Sequence, residues 1–191
     1  MGELILASQS PQRRAILTQV GIAFVARPTG VEEIDSGQPA AVVSQNARHK
    51  ALAASALTPH ALVLGADTLV SAPTGEILGK PDGQQQAQAH LELLSGTTHH
   101  VFGGIALARG GEVTSSAVEV TAVTFRSITP AIMRWYVETG EWEGRAGGYA
   151  IQGAGAALVT GIEGDYLNVV GLPLARLLEM APELLPCGRT E

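Results

Sequence analysis

The chain has 191 residues, enough for one domain with a substantial core or for one domain split into two lobes. A net charge of −6 argues against broad nucleic-acid binding, which needs a basic face, yet leaves room for a local basic pocket around a small phosphorylated ligand. No apolar run reaches the ~18 residues of a membrane span, no signal peptide is read at Met1-Gly2-Glu3, and the single cysteine, Cys187, allows no internal disulfide. The expectation is a cytoplasmic protein with no membrane and no nucleic-acid partner.

Leu4–Ala7 reads as a buried strand that runs into Ser8-Gln9-Ser10-Pro11-Gln12-Arg13-Arg14. Ser10 is a helix N-cap, Pro11 suits the first helical position, and Gly21 closes a helix over 11–20. Arginines in a first turn oppose the helix dipole, so an anion beside them is expected, and phosphate is the usual one. A second strand is predicted over 23–26, followed by a polar loop over 29–38 carrying Glu32, Glu33 and Asp35. Pro39 opens a long alanine-rich helix to about Leu57, with Asn46 and Lys50 one turn apart on the same face.

Ala61–Leu64 reads as a strand buried on both faces, ending in Gly65-Ala66-Asp67-Thr68. Leu69–Ser71 and Glu76–Leu78 form hairpin arms around Pro73-Thr74-Gly75. Gly79-Lys80-Pro81 makes a rigid turn, and a helix covers 83–94. Two long strands, 99–109 and 112–126, flank Gly110-Gly111. A helix capped by Thr129 runs over 130–137. A glycine-rich irregular segment covers 141–155, a strand 156–162, and a last helix 172–180. One domain over 1–181 with a loose tail from Pro182 is expected. Parallel-type strands, crossover helices and hairpins together predict an α/β fold with a mixed sheet.

Asp67 follows a glycine at what reads as the end of a buried strand, where open α/β sheets bind ligands. A carboxylate there can hold a metal or accept a proton from water, or simply cap a turn. Glu32 and Glu33 can fold over the same site as oxygen donors, or form a solvated acidic loop. Ten of the twelve basic residues are arginine, which singles out the two lysines, Lys50 and Lys80. With Arg13 they are the cations that phosphoanhydride chemistry needs, although Lys50 also fits a solvated helix face. Gln152, held between glycines, offers a donor and an acceptor to a base edge, or the segment is a tight turn around a buried tyrosine. No P-loop and no G-x-S-x-G elbow is present. His99 and His100 point to opposite faces of a strand and cannot share a metal.

These pieces, in order, resemble the Maf family of nucleoside triphosphate pyrophosphatases. The resemblance rests on Leu6–Pro11, Val31-Glu32-Glu33, Ala47–Ala51, Gly65–Thr68, Gly79-Lys80-Pro81, Leu94-Ser95-Gly96 with His99, Ala146–Gly153 and Val169–Pro173. It implies a twisted mixed sheet with flanking helices and two lobes around a central cleft, similar to inosine triphosphate pyrophosphatases. It also implies a homodimer, a Mg²⁺ or Mn²⁺ cofactor, and cleavage of a nucleoside triphosphate to monophosphate and pyrophosphate. By the resemblance Asp67 is the proton acceptor and, with Glu33, the metal ligand. Lys50 and Lys80 complete the catalytic set. Ser8 and Arg13 contact phosphate, and Gln12, Thr68 and Gln152 set specificity. The family's dTTP/UTP branch carries arginine, threonine and glutamine at those three positions, and its 7-methyl-GTP branch an aromatic, glutamine and glutamate. Thr68 and Gln152 side with the first branch, while Gln12 matches neither. The same chemistry on purine triphosphates, and a nucleotide-binding regulator of septum formation without turnover, are the alternatives.

Overall fold

A computed structural model describes residues 4–185. One seven-stranded sheet organises them. Its strands are β1 (Leu4–Leu6), β2 (Phe24–Ala26), β3 (Leu62–Ser71), β4 (Ile77–Leu78), β5 (Thr98–Arg109), β6 (Glu112–Phe125) and β7 (Val159–Glu163). The order is β2-β1-β3-β5-β6-β7, with β4 added to β3. β2, β1 and the first half of β3 run parallel; β3, β5, β6 and β7 are antiparallel. The α/β mixed-sheet expectation therefore holds, and so does the Gly110-Gly111 hairpin, where both glycines take positive φ.

The expected strand 61–64 is longer than predicted. β3 continues through Gly65, Ala66, Asp67 and Thr68 to Ser71, paired along its length with β5. A glycine and an aspartate read as a strand end, but the pairing with β5 carries the chain straight through them. The other edge of β3 is shared: β1 pairs with Leu62–Leu64, and β4 with Val70 and Ser71. Between those two partners β1 has already turned away at Ser8. The middle of β3 thus forms the floor of a gap.

Helix α2 (Pro39–Leu57) alone covers one face, packing Ala47, Ala51 and Ala54 on Val63, Ala106 and Ala108. On the opposite face, α1 (Pro11–Gln19) and α6 (Leu174–Met180) enclose Leu4, Leu6, Leu64, Ala66 and Ile105. Further along that face, α3 (Gln84–Leu94) and α4 (Pro130–Glu138) enclose Val70, Val101, Val123 and Phe125 together with Tyr149 and Ile151. The helix boundaries follow their signals. Ser10 Oγ accepts from the Arg13 backbone N–H, and Thr129 Oγ1 does the same for Ile132.

Three predicted elements shift. Ala154–Leu158 is a 3-10 turn, and strand β7 starts only at Val159. The last helix, predicted over 172–180, starts only at Leu174 as α6, and an unpredicted short helix, α5 (Tyr166–Val170), capped by Asp165, precedes it; the two are separated at Gly171-Leu172-Pro173, where Gly171 has φ 139° and proline disfavours helix before it. The expected tail begins as a 3-10 turn over Pro182–Leu184, and Leu184 still packs on the α1–α6 cluster. Cys187 lies outside the described residues. No helix among those described is long and apolar enough to cross a membrane.

Candidate active site

A cleft of about 580 Å³ opens at the gap beside β3. Ser8, Gln12, Arg13, Glu33, Lys50, Asp67, Thr68, Lys80 and Gln152 all line it. Glu32 is exposed and does not.

Side chains alternate along β3, so Asp67 faces α2 and Thr68 faces α1. The approach of α2 is unusually close. A Cβ on Gly65 would lie 2.1 Å from the Ala47 carbonyl oxygen, and one on Gly104 would lie 2.3 Å from that of Val43. Two glycines facing α2 and small residues on the helix bring its backbone down onto the sheet. That descent carries Lys50 to Asp67. Lys50 is only 8 % exposed, so the solvated-face alternative is overturned. Its Nζ donates to Asp67 Oδ1 at 2.8 Å and lies 2.6 Å from Glu33 Oε1. Asp67 is equally buried and caps no turn.

The sequence places Asn46 only as a helix neighbour of Lys50. Its Nδ2 donates to the second Asp67 oxygen, Oδ2, at 3.0 Å, and to the Ile34 carbonyl at 2.9 Å. Its Oδ1 accepts from the Ile34 N–H at 2.8 Å. The only sequence signal for this was its position one turn before Lys50.

Arg13 is buried as well. It donates from Nε to the Gly171 carbonyl (2.9 Å), from Nη1 to Ser8 Oγ (2.8 Å) and from Nη2 to Thr68 Oγ1 (3.0 Å). Three of its five N–H groups are thus committed inside the protein, leaving two for an anion. Burial lowers its affinity for a proton; the charges of Asp67 and Glu33 partly restore it. Thr68 Oγ1 also donates to the Gly171 carbonyl at 3.2 Å. Ser8, Arg13, Thr68 and the α5–α6 junction therefore form one hydrogen-bonded group. Gln12 Oε1 accepts from Ser10 Oγ at 3.1 Å, which folds its side chain back over the helix cap.

Half-burial works to raise the Glu33 carboxyl. The hydrogen bond and charge of Lys50, with the charges of Lys80 and Arg13, outweigh it and hold Glu33 below its ordinary value. Lys80 is exposed at the rim, on a turn tied to the far wall by the Gly147 N–H donating to the Gly79 carbonyl (3.1 Å). Behind that wall, Tyr149 is buried with its hydroxyl 2.9 Å from His99 Nε2, while Gln152, exposed, reaches the cleft.

The arrangement is two carboxylates converging on one ammonium, with two further cations and a hydroxyl across a polar cleft. Chemically it suits an anionic ligand that brings its own negative charge to a site able to polarise water.

The chain is similar to known proteins along nearly its whole length. Residues 3–184 match the family described as Maf-like protein. The chain is 48 % identical over 182 residues to a dTTP/UTP pyrophosphatase of Symbiobacterium thermophilum, covering 94 % of this chain and 93 % of that protein. It is 49 % identical over 185 residues to one of Moorella thermoacetica (94 % of each) and 40 % identical over 182 residues to one of Pyrococcus furiosus (94 % of each). Its fold is similar to the crystal structure of a nucleoside-triphosphatase / dITP/XTP pyrophosphatase of Mycobacterium abscessus, with TM-score 0.52 and 17 % identity over 97 % of this chain and 100 % of that one. The chain belongs to the Maf-like protein family.

Proposed function

We propose that this protein is a nucleoside triphosphate pyrophosphatase that hydrolyses dTTP, UTP or related modified nucleotides to the monophosphate and pyrophosphate, a house-cleaning activity. One observation carries the reading: the cleft that joins Ser8, Arg13 and Lys80 also holds Asp67 between Lys50 and Asn46. The names of the relatives point to the pyrimidine triphosphates.

In this reading Asp67 accepts a proton from the attacking water. Lys50 and Asn46 each hold one of its oxygens, so the carboxylate is oriented before substrate arrives. Ser8, the two uncommitted N–H groups of Arg13, and Lys80 meet the triphosphate and counter the charge that builds on its oxygens as the α–β phosphoanhydride breaks. Thr68 and Gln152 face the base, and Gln12 adds no cation beside it.

The donor set fits a hard divalent cation. Glu33 and Asp67 both reach the Lys50 ammonium, so their oxygens converge, and magnesium is commonly held by one or two carboxylates plus substrate phosphates. Among the described residues no three His, Cys, Asp or Glu side chains form a larger cage. Mg²⁺ or Mn²⁺ held by Glu33 and Asp67 would supply Lewis-acid stabilisation of the phosphate oxygens. The reading extends to a cytoplasmic homodimer, supported by the family resemblance; sedimentation of the purified chain tests the dimer.

The experiment is product analysis across a nucleotide panel with Mg²⁺ or Mn²⁺. dTTP and UTP should give monophosphate and pyrophosphate, and Asp67→Asn should stop turnover. Release of orthophosphate would overturn the bond assignment. Turnover confined to purine nucleotides would overturn the substrate class. Tight binding without turnover would make the chain a nucleotide sensor instead.

A further inference from the structure

Asn46 is 3 % exposed, and its amide is fully used by groups from two other parts of the chain. Toward the acidic loop it exchanges two hydrogen bonds with the backbone of Ile34, in the way one strand pairs with another. Toward the sheet it gives its second N–H to Asp67. One helical turn on, Lys50 takes the other Asp67 oxygen and reaches Glu33, the residue next to Ile34. The contacts close a ring: Ile34, Asn46, Asp67, Lys50, Glu33, and back to Ile34 through the chain.

Lys50 could not set this geometry alone. An ammonium is a compact charge on a flexible stem and fixes neither the plane of a carboxylate nor the path of a loop. A side-chain amide has one acceptor and two donors in a fixed plane, which is what the Ile34 backbone and Asp67 together require. Aspartate at 46 would keep the acceptor and lose both donors. Alanine would lose all three.

We propose that Asn46 is a positioning residue that sets the orientation of the Asp67 carboxylate and the reach of Glu33 at the same time, so that the two acidic groups work as one unit. This rests on the proposed pyrophosphatase activity.

The test measures dTTP turnover with Mg²⁺ in Asn46→Ala, Asn46→Asp, Glu33→Gln and the double variant Asn46→Ala/Glu33→Gln, with amide hydrogen exchange of the unliganded proteins. Asn46→Ala should lower kcat about 10–100-fold, the scale on which partners of site ligands act, with KM for dTTP little changed. The Ile34 amide, deprived of its acceptor, should exchange faster. The double variant should lose no more than the worse single one, because both break the same ring. Asn46→Asp is isosteric and serves where the alanine variant fails to fold. It should lose kcat while Ile34 stays protected. Wild-type kcat in both Asn46 variants, a loss confined to KM, or losses that multiply in the double variant would overturn the positioning role. Absence of pyrophosphate release by the wild-type protein from any nucleotide would instead overturn the proposed activity.

Discussion

Gly65→Ala should push α2 off the sheet. A Cβ there would sit 2.1 Å from the Ala47 carbonyl oxygen and 2.7 Å from the Ala51 nitrogen, where ordinary contact begins at 3.4 Å. Both obstacles are backbone of the same helix and cannot rotate away. The helix must retreat by about 1.3 Å, the shortfall in the nearer contact. Lys50 lies on the helix between those two residues. A retreat of that size would stretch its 2.8 Å contact with Asp67 to about 4 Å, the edge of an ion pair. Overpacking costs about 1–3 kcal/mol, which for a chain of this size lowers Tm by roughly 2–12 °C. Misplacement by about 1 Å can cost on the order of 100-fold in rate. Calorimetry and pyrophosphate release from dTTP with Mg²⁺ measure the two effects on one preparation. Gly83→Ala is the control: nothing lies within 4 Å of its Cβ and its backbone is extended, so stability should change by less than about 1 kcal/mol and activity not at all. A Gly65→Ala protein as stable and as active as wild type would refute the idea that close helix-to-strand approach sets the Lys50–Asp67 contact.

Lys50→Met should leave Asp67 buried with only the Asn46 amide as partner and cost about 3–5 kcal/mol, the usual penalty for breaking a buried pair. Adding Asp67→Asn should recover part of that stability in a urea melt without recovering activity. Burial, reinforced by the charge of His100, holds the His99 imidazole at about 4 rather than 6.5. The unfolded chain therefore binds that proton first. Stability is full above pH 6.5 and falls as pH drops toward 4, by up to about 3 kcal/mol from this group. His99→Gln, which keeps a partner for the Tyr149 hydroxyl and does not titrate, should flatten the fall between pH 7 and 5 in urea melts; an unchanged slope rejects His99 as its source. Asn168→Ala should cost about 1–3 kcal/mol by thermal unfolding, because the buried Nδ2 donates to the Val101 carbonyl and to Thr121 Oγ1, and those acceptors would lose it.

Local chemistry made much of the fold readable along the chain. Serine and threonine caps followed by proline located α1 and α4 to within a residue, since a cap hydrogen bond involves only neighbours. The Gly110-Gly111 turn was readable because positive φ at both positions is a property of those two residues. The residues of the cleft were legible as chemical types, and the family resemblance gathered them into one set. Where such reading stopped is equally physical. Gly65-Ala66-Asp67-Thr68 has the composition of a strand end, yet β3 runs through it because β5 supplies partners along its whole length. Lys50 and Asn46 were visible as one face of a helix, but a helix face is symmetric with respect to what covers it. The tertiary structure decided that this face meets β3, through two glycines that admit the α2 backbone. It also decided that Arg13 spends three of its five N–H groups on Gly171, Ser8 and Thr68 before any ligand arrives. Contacts between residues 158 or 103 positions apart leave no trace in local pattern. Backbone preferences act over a few residues and can be read from them; burial and partner choice arise only when distant segments exclude water from one another.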